Sequence, residues 1–172
     1  MEIKRLGKED GKDYWELRLE ALQKNPEAFL TSYQAAVEKK DPIQTIQSRL
    51  EAANNYTYGA YLADQLVGIV TMLRNEHAKT AHKADILAMY VSSEARRHNV
   101  GFQLIRKAQE EAYTIGIEQL ELSVVAGNLP AKKLYEKAGF SRYGVEPNAI
   151  KENGEYMDEE LMICFIDSPN PA

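Results

Sequence analysis

Cysteine is almost missing from this chain, whose 172 residues include one, Cys164. An internal disulfide is therefore excluded, and no Cys/His spacing describes a zinc site. Cys164 stands in the apolar run Leu161 to Ile166 and reads as a packed thiol. Histidine is scarce too. His77 and His82 lie near each other in a polar stretch, but no third ligand candidate stands beside them, so no metal is expected. Positive charge is the minority sign: 21 Lys+Arg against 26 Asp+Glu gives a net charge of −5. Binding nucleic acid requires a basic face that neutralises phosphate, so nucleic acid is not an expected partner. Long apolar runs are also lacking. No segment approaches a membrane-spanning length, and Glu2, Lys4 and Arg5 interrupt any signal-peptide core, so no membrane is expected and the reading places the protein in the cytoplasm.

What is present is enough apolar residue, 44%, to fill the core of one domain over residues 1–167, with 168–172 as a proline-containing tail. Met1 to Leu6 reads as a first strand. A helix follows over Asp10 to Lys24, with Trp15, Leu19 and Leu22 at helical spacing and Asn25-Pro26 as its stop. Glu27 to Lys40 reads as a loop with a helical turn. Asp41-Pro42 opens a second helix with Ile43, Ile46 and Leu50 inward, running to about Asn54. Tyr56 to Ala63 and Leu66 to Leu73 are strands joined by a tight hairpin at Asp64-Gln65.

The second half carries the chemistry. An apolar strand from Asp85 through Ile86, Leu87, Ala88, Met89, Tyr90 and Val91 runs into a polar turn and then a helix whose inner face is Val100, Leu104, Ile105, Ala108 and Ala112. Arg96, Arg97 and His98 stand directly before Asn99, Val100 and Gly101. A helix start with unpaired N–H groups and positive side chains beside it is suited to phosphate. Gly116 closes that helix. Gln119 to Val125 is a strand, Asn128 to Ala138 a short helix ended by Gly139, and Phe140 to Val145 with Tyr156 to Ile166 completes the set. Seven strands with interleaved helices indicate a layered α/β (α+β) domain around a mixed sheet.

Two of these segments resemble the GNAT superfamily of acyl-CoA N-acyltransferases. Arg96 to Gly101 after a strand ending in Val is similar to the pyrophosphate loop of that family, with Asn99 where Gly is usual and Arg97 where a small residue is common. Asn is the residue other than Gly best suited to a left-handed turn. Val124 to Asn128, then Ala131, Leu134, Tyr135 and Gly139-Phe140, is similar to the second family signature. The resemblance implies a mostly antiparallel sheet of about seven strands with helices on both faces. It also implies an N-acetyltransferase that moves an acetyl group from acetyl-CoA to a primary amine, whether a small molecule, a protein N-terminus or a lysine.

Residue roles follow from the same resemblance. Met89, Tyr90 and Val91 would pair with pantetheine through their backbone, Arg96, Arg97, His98, Asn99, Val100 and Gly101 would hold the phosphates, and Asn128 would bind the pantetheine arm. Asn128 serves equally as a plain helix cap. Tyr135 would protonate the departing thiolate, and packing alone also explains an aromatic there. Asp85 is the first candidate base and His82 the second, with water as the alternative. Glu146, Glu152, Glu155, Asp158, Glu159 and Glu160 fall in or beside the last hairpin and favour a cationic acceptor unless they are merely solvated. A homodimer is compatible with this reading. The rival reading is an acyl-CoA sensor or interaction module without turnover.

Overall fold

Strands whose side chains alternate between faces assemble one sheet, in the order β1-β2-β3-β4-β5-β7-β6. The structure is a computed structural model and describes residues 1–166; the tail expected from Ser168 lies outside the described residues. The strands are β1 Glu2–Arg5, β2 Asn55–Leu62, β3 Gln65–Arg74, β4 Lys83–Val91, β5 Gln119–Val125, β6 Ser141–Glu152 and β7 Glu155–Phe165. All neighbours are antiparallel except β4 and β5. The helices are α1 Gly11–Lys24, α2 Tyr33–Val37, α3 Pro42–Leu50, α4 Val100–Thr114 and α5 Leu129–Lys137.

The two faces are covered by different helices. On one, Val100, Leu104, Ile105, Ala108 and Ala112 of α4 are fully buried against Val70, Met72, Leu120 and Met162 of the sheet. Each of the larger aliphatic side chains contributes roughly 1.5–3 kcal/mol when removed from water. On the other, Leu17 and Ala21 of α1 and Ile46 and Leu50 of α3 pack on Leu66, Ile69 and Tyr90. The buried stripe of α1 is thus Leu17, Ala21 and Leu22; Trp15 and Leu19, expected inside, are only half-buried.

Turn chemistry shifts two expected boundaries. The β2–β3 hairpin turns at Ala63-Asp64, with φ of 45° and 63°, because two residues in the left-handed region match the strand twist; Gln65 already pairs with Leu62. Helix α3 stops at Leu50. Asp41 occupies the cap position ahead of Pro42, but at φ 50° its side chain makes no cap hydrogen bond.

One irregularity positions the functional region. In the β3–β4 register Thr71 faces Leu87 and Ile69 faces Tyr90, so β4 carries an extra residue at Ala88, whose φ is 51°. A bulge of this kind flips the side-chain parity beyond it. Ala84 and Ile86 point to the α4 face, and beyond the bulge so does Met89, while Tyr90 reaches the α1 face. Met89 therefore does not share a face with Asp85 and Leu87, as simple alternation implies.

Candidate active site

Strands β4 and β5 begin side by side and then part. Their pairing covers Lys83↔Gln119, Ala84↔Leu120 and Asp85↔Glu121 and goes no further, because from there β5 follows β7 along its whole length. The edge of β4 from Ile86 to Val91 is left facing open space, and with the bulge at Ala88 its backbone groups are available to a ligand. A cleft of about 1310 Å³ occupies the gap. That exceeds the 300–1,000 Å³ usual for a single drug-sized ligand, and its length reaches from the start of α4 to the β6–β7 ribbon.

At one end of the cleft stands the turn before α4. Asn99 adopts φ 57° and makes no side-chain cap for α4, so the first N–H groups of the helix keep no side-chain partner and carry the positive end of its dipole. Gly101 lines the cleft, and a Cβ there would lie 3.0 Å from Leu134 Cδ2 and 3.1 Å from Met89 Cε. The Arg96 guanidinium donates to the Val91 carbonyl at 3.1 Å and to Asn25 Oδ1 at 2.7 Å, tying the strand end to the end of α1. Arg97 belongs to the same turn, Arg96–His98. The side chain of Val100 is fully buried in the α4 core, and His98 is exposed and outside the cleft lining. Lys137 of α5 donates to Asn99 Oδ1 at 3.4 Å and lies 4.5 Å from the Phe102 ring.

The middle of the cleft holds Asn128 and Tyr135. Asn128 Oδ1 accepts the Ala131 N–H at 3.2 Å, so Asn128 is the helix cap of α5 while also lining the cleft. Tyr135 is 7% exposed, packs edge-on against Phe140, and burial pushes its phenol up to about 12.

The far end is charged. Alternation along β5 sends Leu120, Leu122 and Val124 into the α4 core and leaves Glu121 and Ser123 on the cleft floor with Asp85. Burial, and the Glu121 carboxylate beside it, raise the Asp85 carboxyl above the ordinary range; a hydrogen bond from Asn75 and the charge of Lys83 oppose this. Lys83 holds Glu121 at 2.7 Å. Of the six acids in the last hairpin, only Glu159 lines the cleft, its carboxyl raised by burial and by Glu146. Glu160, on the opposite face, binds Lys132 at 2.7 Å, and Asp158 accepts the Asn148 N–H at 2.8 Å. The period of two along a strand divides the acidic run between faces. His82 sits in the turn before β4, its carbonyl accepting from Glu118 and Gln119, and it is outside the cleft lining.

The helical wall opposite this floor was not read from the sequence. Tyr14, Trp15 and Arg18 of α1, Phe29 in the connection that follows α1 and Arg49 of α3 line it. Trp15 at helical spacing signals core, and only the packing of α1 against α3 shows that it faces a cavity instead. Among the described residues, no helix is long and apolar enough to cross a membrane, and no three metal-ligating side chains are grouped.

A parallel pair that splays, a bulged central strand and an uncapped helix start define an acyltransferase-like cleft. The model of the acetyltransferase (GNAT) family matches residues 16–140, and the chain belongs to that family. It is 30% identical to the L-amino acid N-acetyltransferase AaaT of Escherichia coli (strain K12) over 104 residues, which cover 60% of this chain and 64% of that protein. The chain spans between 52% and 67% of the length of the curated relatives it matches. Solved structures share the fold over nearly its whole length. An acetyltransferase of the GNAT family from Streptococcus pneumoniae superposes with a TM-score of 0.83 at 21% identity, covering 96% of this chain and 98% of that one. An N-acetyltransferase from Staphylococcus aureus Mu50 gives 0.84 at 18% identity, with the same coverage.

Proposed function

We propose that the chain is an N-acetyltransferase that moves the acetyl group of acetyl-CoA to a primary amine by direct attack on the thioester. The observation that carries this reading is the gap between β4 and β5 beyond Asp85, with the bulge at Ala88, opening beside the uncapped start of α4. In this reading the phosphates of acetyl-CoA lie on the N–H groups of Asn99 to Phe102, with Arg96 and Arg97 supplying charge, and Gly101 allows the close approach. The pantetheine arm adds to the free edge of β4 at Met89, Tyr90 and Val91 like an extra strand, and Asn128 faces it.

The reaction requires an unprotonated amine, a polarised carbonyl and a proton for sulfur. The amine nitrogen forms the C–N bond, and the C–S bond breaks as the carbonyl re-forms. Asp85 takes the proton the amine loses, a task that suits a carboxyl raised by burial and by Glu121. Tyr135 gives the thiolate its proton and then regains one through water. Its phenol at about 12 is fully protonated at neutral pH, so the proton is in place before bond cleavage. The single-domain extent over residues 1–167 and a cytoplasmic setting belong to the same proposal.

The test is release of CoA from acetyl-CoA in the presence of a panel of amines, with the acetylated product identified by mass. Saturable acetyl-CoA binding with no transfer to any amine would replace the enzyme by a binding module.

A further inference from the structure

The helical wall of the cleft has two arginines without an ion-pair partner among the described residues. Arg18 and Arg49 both line it, and among the described residues neither takes part in an ion pair or donates a hydrogen bond. The Arg18 guanidinium stacks 4.4 Å over the Phe29 ring and is close enough to Arg49 for the two charges to oppose each other. Tyr14, whose hydroxyl is under the influence of both, adds a third donor. The acid nearest in sequence on this wall, Glu27, accepts from Asn25 instead. The half-buried Arg18 guanidinium is costly to leave unpaired, and a guanidinium fits a carboxylate with two parallel hydrogen bonds. The floor has the opposite sign, with Asp85 and Glu159 facing the cleft.

We propose that the acceptor carries a carboxylate near its amine, an amino acid or a close analogue, with the carboxylate held by Arg18 and Arg49 and the amine turned toward the floor. This rests on the N-acetyltransferase reading and names its acceptor class. It departs from the expectation of a cationic acceptor drawn from the acidic hairpin, because five of those six acids lie outside the cleft lining while Arg18 and Arg49 lie in it.

The probes are a set of L-amino acids, the carboxamides of the same amino acids, and spermidine. Losing charge-assisted hydrogen bonds of about 1.5–3 kcal/mol corresponds to a preference of roughly ten-fold or more in kcat/KM for free acids over amides. Arg49→Gln, at an exposed position, and Arg18→Gln should each raise KM for the acids by a similar factor, leave kcat and the Kd of acetyl-CoA near the parent values, and erase the acid-over-amide preference. Amides or spermidine acetylated as well as the acids overturn the carboxylate site while upholding the transferase. A weakened Kd for acetyl-CoA in the arginine variants also overturns it, by assigning both residues to the CoA phosphates. Calorimetry of the CoA-bound protein against the same amino acids reads binding apart from turnover. Binding without CoA release in the kinetic assay supports the carboxylate site and contradicts the transferase; no binding and no release with free acids overturns the inference.

Discussion

The two ends of the cleft are built differently. The α4 end is a continuous segment, strand, turn and helix, in which backbone groups border the cleft and Val100, Leu104 and Ile105 behind them are fully buried. The β5 floor and α1–α3 wall are assembled from segments far apart in sequence, and side chains, many of them charged, face the cleft. Backbone-lined sites suit a ligand that never changes, whereas side-chain-lined sites are where specificity is set. In the proposed function the first end takes the acyl donor and the second the acceptor.

The largest expected effect breaks the donor end alone. Gly101→Val places side-chain atoms against Leu134 and Met89 and obstructs approach to the helix start, so acetyl-CoA binding should fall by at least about a hundred-fold, the scale of losing two charge-assisted hydrogen bonds. Calorimetry measures this, with circular dichroism as the check on folding. Unchanged affinity would detach the turn from CoA.

Next in size is Tyr135→Phe. Removing a general acid typically lowers turnover by ~100-fold, and because only the hydroxyl that would protonate the thiolate is lost, the Kd of acetyl-CoA should stay near that of the parent. Wild-type turnover where chemistry limits would reduce Tyr135 to packing against Phe140.

Asp85→Asn sharpens the boundary between the ends. The parent rate should fall as pH drops through a carboxyl raised above its ordinary range, independent of which amine is used; in the variant that limb should vanish, leaving one that follows the amine. Two acceptors of different basicity decide it. The same substitution bears on stability. A carboxyl whose folded pKa is raised binds its proton more tightly when folded, so at neutral pH its ionised form disfavours the fold. Asp85→Asn should therefore raise Tm at pH 7, and the gain should shrink as pH falls below the raised pKa. A Tm that drops at pH 7 would mean that the carboxylate is held favourably.

This contrast also explains what the sequence allowed to be read. The α4 end follows from local rules: Asn99 takes the left-handed turn its residue type permits, and Gly116 closes α4 at φ 76°. The bulge at Ala88 gave no signal, since alanine does not announce a positive φ, and the parity of Met89 and Tyr90 was lost with it. The acceptor end required tertiary packing. Trp15, Arg18 and Arg49 share a wall only because α1 and α3 lie together across the sheet, and the hairpin acids read as one cluster until strand alternation separated Glu159 from Glu160.

Amide hydrogen exchange along β4, measured with and without acetyl-CoA, tests the central claim most directly. Donor binding in the gap between β4 and β5 predicts slowed exchange in the segment Leu87 to Val91 and at the start of α4, absent in Gly101→Val. Protection confined to α1 and α3, with the β4 segment unchanged, would contradict it.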